Sequence, residues 1–479
     1  MIFSYLTVKL KKEYIVKGDI NMKLAIIGGG STYTPHLTKN LLINREKLPF
    51  DTITLMDIDE KRLKIMTNFV KRMTEKHQVK DLRIEGTSDL EEAINDATIV
   101  LSTIRPGGNK LRAIDEKIAI KHGIIGQETT GPAGFAFALR AILPSIQIGK
   151  TIEKVAPKAW LINATNPAGI ITEAIAKYTK AKVIGICHCG ISLERKIAKH
   201  ILSINDPQRV KIIYAGINHL GIILKVLLDG KEVPPEYMAK KLADFYAKQP
   251  LEDRLDPDFV LLWKWPFLVG LYWHYWFHTE RMYKLQLKKR KVRGEEVEEI
   301  QEKLLKVLEK VSDWDEIPLE LRARGSTELE RKEMAEQALG GYIPGMIAVM
   351  NGLINNTKEI LALNVQNNGS IEGIDDDAVV EVSGVITSSG FIPFRIGKLP
   401  LEIRGLIIAV KTYETLTVKA AVEGSYELAL KALMANPLVR TYEKAKALLE
   451  DYLIADRKYL PQFEHVIKKL IEKRGTKVL

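Results

Sequence analysis

Lys23-Leu24-Ala25-Ile26-Ile27-Gly28-Gly29-Gly30-Ser31-Thr32-Tyr33-Thr34-Pro35 is an apolar run that breaks into three consecutive glycines. A short run without polar alternation, closed by glycine, reads as a buried parallel strand entering a tight turn. A helix is expected to begin near Tyr33, with Pro35 in its first turn. The turn comes close to the dinucleotide fingerprint G-x-G-x-x-G, except that Tyr33 stands at the third glycine position. Gly28, Gly29, Gly30, Ser31 and Thr32 are the candidate cofactor contacts. Small residues there let the backbone approach a pyrophosphate, and the helix start offers unpaired N–H groups. Asp57 closes the next apolar run, Ile53–Met56. A carboxylate at that strand end is placed for a ribose diol and favours NAD over NADP by repelling a 2′-phosphate.

The pattern then repeats outward. Asp57–Glu75 is charged and periodic, as a helix is. Leu82–Glu85, Ile99–Thr103, Ala159–Ile162 and Val183–Ile186 read as further strands. Strands alternating with helical stretches predict an α/β fold, a Rossmann-like doubly wound parallel sheet. Past residue 190 the pattern changes. Val210–Tyr214 and Ile222–Leu228 read as strands flanking an Asn218-His219 turn. Tyr237–Leu308 is rich in helix formers and aromatics, Ala378–Ile386 reads as a strand, and Leu406–Leu453 as helical. The expected division is an NAD-binding domain over 22–195 and a mixed α/β, helix-rich substrate and oligomerisation domain over 196–479. Residues 1–21 read as an extension or a mis-assigned start, because Met22 stands directly before the first strand.

The chain has 479 residues, 46% of them hydrophobic and 27% charged, in the range of ordinary globular proteins. Its formal charge is +11, but Lys and Arg are interspersed with Asp and Glu. The one dense basic run, Lys288-Lys289-Arg290-Lys291, leads into Glu295-Glu296 and reads as a solvated helix face. No nucleic-acid partner is expected. No apolar run is long enough to span a bilayer and no secretory segment is present, so no membrane partner is expected either. The two cysteines lie one residue apart, at Cys187 and Cys189. That spacing suits a reduced, cytoplasmic thiol site and not a disulfide framework.

Ligands of open α/β sheets bind at the carboxyl ends of the strands. Arg105, Asn163, Asn166 and Cys187 all fall at or just past such ends. A thiolate from Cys187 and an imidazole from His219 form a candidate pair for a divalent cation with open positions. Spacing alone favours a buried thiol and a hydrogen-bonded core histidine over a ligand pair. His188 is a candidate substrate contact, proton donor or extra ligand, and Cys189 a weaker ligand.

Several segments together carry a family resemblance. They are Ile27–Pro35, Arg105-Pro106-Gly107-Gly108, Gly126-Gln127-Glu128-Thr129-Thr130-Gly131-Pro132, Asn163-Ala164-Thr165-Asn166-Pro167-Ala168-Gly169, Gly216-Ile217-Asn218-His219 and Asp375–Val382. The chain resembles glycoside hydrolase family four, the NAD- and divalent-metal-dependent glycosidases, from about Met22 to Leu453. The resemblance implies a fold like that of lactate and malate dehydrogenases. It implies a redox route to hydrolysis: oxidation of the sugar at C3, loss of the acidified C2 proton, elimination of the aglycone, addition of water and re-reduction. Implied cofactors are NAD and a divalent metal, Mn2+ first. Cys187 and His219 would be the ligands, and Arg105 and Asn163 would meet a small-molecule glycoside. The base is expected in Tyr272-Trp273-His274-Tyr275-Trp276, with Tyr272 ahead of Tyr275. A homodimer or homotetramer is implied.

The pattern is closest to the 6-phospho-β-glucosidase branch, with departures near the expected sugar site. Cys187-His188-Cys189-Gly190 stands where that branch has Cys-Asn-x-Pro, and Cys-His resembles branches acting on unphosphorylated α-glycosides or glucuronides. Trp273 and Trp276 replace smaller or phenolic residues. An aromatic usual near Arg324–Leu329 is missing. Arg322 and Arg324 are candidate partners of a 6-phosphate or carboxylate, or else surface charges. The other readings are an NAD-dependent sugar dehydrogenase and a non-enzymatic nucleotide-binding sensor.

Overall fold

The apolar run ahead of the glycines is a strand buried on both faces. Ala25 and Ile27 face one hydrophobic core, and Leu24 and Ile26 face the other. In a computed structural model, which describes residues 21–187, 190, 193–263, 272–322 and 343–478, this strand is β1 (Lys23–Ile27). It is followed by β2 (Thr52–Met56), β3 (Arg83–Thr87), β4 (Ile99–Ser102), β5 (Trp160–Asn163) and β6 (Lys182–Gly185). These run parallel in the order β3-β2-β1-β4-β5-β6. That is the doubly wound dinucleotide-binding arrangement.

Local chemistry sets the crossover helices. Pro35 sits in the first turn of Thr34–Ile43. The Asp59 side chain accepts from Arg62 N and caps Glu60–Lys76, which is why that helix starts three residues after Asp57. Gly131 and Pro132 open the buried helix Pro132–Val155. Its Arg140 is fully buried between Asp115 of the helix Gly108–Lys121 and Asp456 near the C-terminus. Such an ion pair would be costly if unpaired and so locks these three segments together.

The second half continues the same sheet. β7 (Val210–Ile217), β8 (Leu220–Leu228), β9 (Lys231–Glu232), β10 (Ile360–Gln366) and β11 (Val379–Thr387) extend it in the order β6-β10-β11-β7-β8-β9, and β12 (Gly390–Pro393) pairs with β11. The pairing from β10 on is antiparallel. β10 does not stand out in the sequence because buried Asn364 interrupts its apolar run; the amide donates to Glu381 of β11 at 3.0 Å. Lys288 ends the helix Thr279–Lys288, and Lys289–Lys291 form the exposed connection after it. The basic run is thus a helix end and linker, not a helix face. Among the described residues no helix is long and apolar enough to cross a membrane. Residues 1–20 of the N-terminal segment lie outside the described residues.

Candidate active site

The glycine turn is fixed by backbone bonds to the neighbouring strand. Gly28 N and Gly29 N donate to Met56 O at 2.9 and 2.8 Å. Gly28 has φ 86°, and a Cβ there would come within 2.8 Å of Thr103 O, so no other residue suits the position. Asp57 closes the turn from the other side. Its Oδ2 accepts from Gly30 N at 2.9 Å and its Oδ1 from Asp59 N at 3.0 Å. Gly28, Ser31, Thr32 and Asp57 line a cleft of about 990 Å³, at the upper end of ligand pockets. Gly29 packs behind the wall against Leu55, and Gly30 against Asp57.

Cys187 follows β6, and His219 lies in the two-residue turn between β7 and β8 with φ 63°. This left-handed conformation is uncommon outside glycine. Both side chains are buried, and Cys187 Sγ lies 3.2 Å from His219 Nε2. That separation is a hydrogen-bond contact, and it brings together a thiol and an imidazole, both ligand types for divalent cations. Among the described residues no third Cys, His, Asp or Glu completes a ligand cluster. His188 and Cys189 lie outside the described residues. On the other side of His219, Nδ1 meets Thr129 Oγ1 at 2.7 Å. Glu381 lies close to this pair, and burial and the Cys187 sulfur hold its carboxyl well above the usual range. It accepts from Tyr214 Oη at 3.0 Å.

Tyr272 stacks flat on His219, ring centroids 3.8 Å apart and planes within 5°. Tyr275 lies 6.0 Å from Tyr272, and both line the cleft. Trp273 is not among the residues lining the cleft. It is buried in the core, donates from Nε1 to Gly221 O at 3.1 Å and stacks on Phe277. Gly221 belongs to β8, just past His219, so this bond seats the tyrosine helix against the histidine turn. His274, which the sequence reading passed over, lines the cleft while 3% exposed. Burial, then Arg281 and His278, push its pKa down to about 3, so it is a neutral imidazole.

Arg105 lines the cleft and pairs with Glu128 at 3.1 Å, its guanidinium over the Phe137 ring. Arg112 meets the same carboxylate oxygen at 2.8 Å. Burial alone would raise the Glu128 pKa, but Arg112 and then Arg105 outweigh it and bring it down to about 2. Asn163 departs from expectation. It is fully buried, donates to Thr172 Oγ1 at 3.0 Å and accepts from Thr165 N at 3.1 Å. Its amide braces the turn, and Asn166 faces the cleft instead. Arg322 lies 3.5 Å from Asp315 and is not among the cleft residues; Arg324 lies outside the described residues. Lys289, Lys291 and Arg293 also line the cleft. The dense basic run signals the first two in the sequence.

Residues 23–203 match the model of the family 4 glycosyl hydrolases, and residues 214–439 match that of the family 4 C-terminal domain. The "Probable 6-phospho-beta-glucosidase" of Bacillus subtilis is 36% identical, with 93% of this chain and 99% of the relative covered. A 6-phospho-beta glucosidase structure from Thermotoga maritima, with manganese, NAD+ and glucose-6-phosphate, is 34% identical with a TM-score of 0.78, covering 92% of this chain and 99% of that one. A 6-phospho-alpha-glucosidase from gut microorganisms, in complex with NAD and glucose-6-phosphate, is 30% identical with a TM-score of 0.79 over the same shares.

Proposed function

Because the chain belongs to glycoside hydrolase family four, we propose that it is a glycosidase of 6-phospho-β-glucosides that works with NAD and a divalent metal, Mn2+ first. The observation that carries this reading is the Cys187–His219 pair, 3.2 Å apart, with Tyr272 stacked on the imidazole at the wall of the cleft that the glycine turn opens. When bound, the dinucleotide would supply a two-electron acceptor and the cation a Lewis acid.

The chain's own residues supply the rest. Cys187 and His219 would hold the cation. Tyr272 takes the C2 proton, since its phenol is the acid–base group beside His219 in the cleft; Tyr275 is the reserve candidate. Gly28, Ser31 and Thr32 face the dinucleotide, and Asp57 keeps lone pairs beyond its two backbone bonds for a ribose. Arg105 and Arg112, which share Glu128, line the cleft together with Lys289, Lys291 and Arg293, and would be the cations nearest an anionic sugar. That charge supports a phosphorylated substrate. The Cys187-His188 sequence supports the second reading, unphosphorylated α-glycosides or glucuronides. We further propose a homodimer or homotetramer in the cytoplasm, with residues 22–195 carrying the cofactor and 196–479 completing the substrate site.

The test is a panel of nitrophenyl α- and β-glycosides, with and without a 6-phosphate, assayed with NAD+, Mn2+ and a reductant. Turnover confined to 6-phospho-β-glucosides, with no net NADH, is the expected result. Preference for unphosphorylated α-glycosides or glucuronides would favour the second reading. Stoichiometric NADH without aglycone release would make the protein a dehydrogenase.

A further inference from the structure

The direction of a hydrogen-bond chain behind the metal pair can be worked out from its acceptors. Gln127 Oε1 lies 2.8 Å from Thr129 N and 2.5 Å from Thr130 N. Both are backbone donors, so they fix which way the Gln127 amide faces. Thr129 Oγ1 lies 3.0 Å from the same oxygen. A carbonyl oxygen only accepts, so the hydroxyl proton points to Gln127. Thr129 Oγ1 then has lone pairs alone to offer His219 Nδ1, 2.7 Å away. Nδ1 therefore carries a proton. Whenever the ring holds only that one, Nε2, 3.2 Å from Cys187 Sγ, has its lone pair facing the sulfur.

We propose that Thr129 is a positioning residue of the metal site: its hydroxyl, oriented by Gln127, holds His219 in the tautomer and ring plane that can share a divalent cation with Cys187. The proposal rests on the reading of Cys187 and His219 as the metal pair. Thr129 is 6% exposed and is not a cleft residue, so it acts through His219 and not on the sugar. Without this acceptor the imidazole can place its proton on Nε2, where it excludes a cation.

The experiment measures Mn2+ affinity directly, from the free-Mn2+ electron paramagnetic resonance signal, on chelator-stripped, NAD-loaded full-length protein. Thr129→Val keeps the shape and removes the acceptor; Thr129→Ser keeps the hydroxyl. The valine variant is expected to bind Mn2+ about 10- to 100-fold more weakly. The serine variant is expected to recover most of the loss, and NAD+ affinity to stay unchanged in both. Wild-type-like Mn2+ affinity in Thr129→Val overturns the proposal and leaves the metal reading intact. Absence of Mn2+ binding by the wild type overturns the metal reading itself. If Thr129→Val no longer binds NAD+, Thr129→Ala removes the same hydroxyl without adding bulk and decides the matter by the same affinity.

Discussion

Replacing Glu128 by Gln removes one negative charge from between two guanidinium groups. Glu128 Oε2 lies 2.8 Å from Arg112 Nη1 and 3.1 Å from Arg105 Nη1. The surroundings lower the pKa from the ordinary 4.5 to about 2. At ~1.4 kcal/mol per tenfold change, that drop corresponds to roughly 3 kcal/mol favouring the charged form. The side chain is 21% exposed, and solvent screening brings the expected loss in Glu128→Gln to about 2 kcal/mol at pH 7. The sign follows from linkage. The folded-state pKa is depressed, so the stabilisation is fully present above the unfolded value of 4.5 and is lost as pH falls toward about 2. Glutamine mimics the protonated acid. The wild-type and variant curves should therefore converge on acidification, with under half of the difference left by about pH 3. Urea unfolding followed by tryptophan fluorescence at several pH values measures this. A difference below about 0.5 kcal/mol at pH 7, or one that widens in acid, would refute the argument.

Cys187→Ser should lose bound Mn2+ and glycosidase activity together while NAD+ titration is unchanged; retention of the metal would show that another residue holds it. Tyr272→Phe should slow exchange of the C2 proton with solvent deuterium by about 10²- to 10⁴-fold and leave the fold intact, and exchange at the wild-type rate would move the base to Tyr275. Trp273→Phe keeps the stack on Phe277 but orphans Gly221 O, so it should cost about 1–3 kcal/mol of stability. It should also lower kcat by loosening Tyr272 against His219, without changing NAD+ affinity; equal kcat and equal stability would show that the indole anchors nothing.

The parallel half was legible because its signals are local. An apolar run, a glycine turn and Pro35 place β1 and the following helix within a dozen residues. Asn163 is oriented by contacts that no local pattern carries. It stands at a strand end, but its amide turns inward to Thr165 and Thr172, and Asn166 faces the cleft. Trp273 was read as a change beside the sugar, yet its partner, Gly221 O, lies on a strand distant in sequence. β10 escaped because a buried Asn364 is tolerable only with Glu381 opposite, and that pairing is invisible until the sheet is assembled. Strand-end residues could be placed near the site from sequence, while the direction of each side chain depended on contacts remote along the chain.

The continuous sheet has a consequence for how the protein is made. β6 ends the parallel half, and its outer neighbour, β10, comes from residues 360–366. On the ribosome the first half can therefore collapse early, while Gly185 at its border waits for Asn364, its partner on a strand still to be translated. Such a border is an invitation to clump. A product truncated before residue 360 would leave that edge of β6 uncovered.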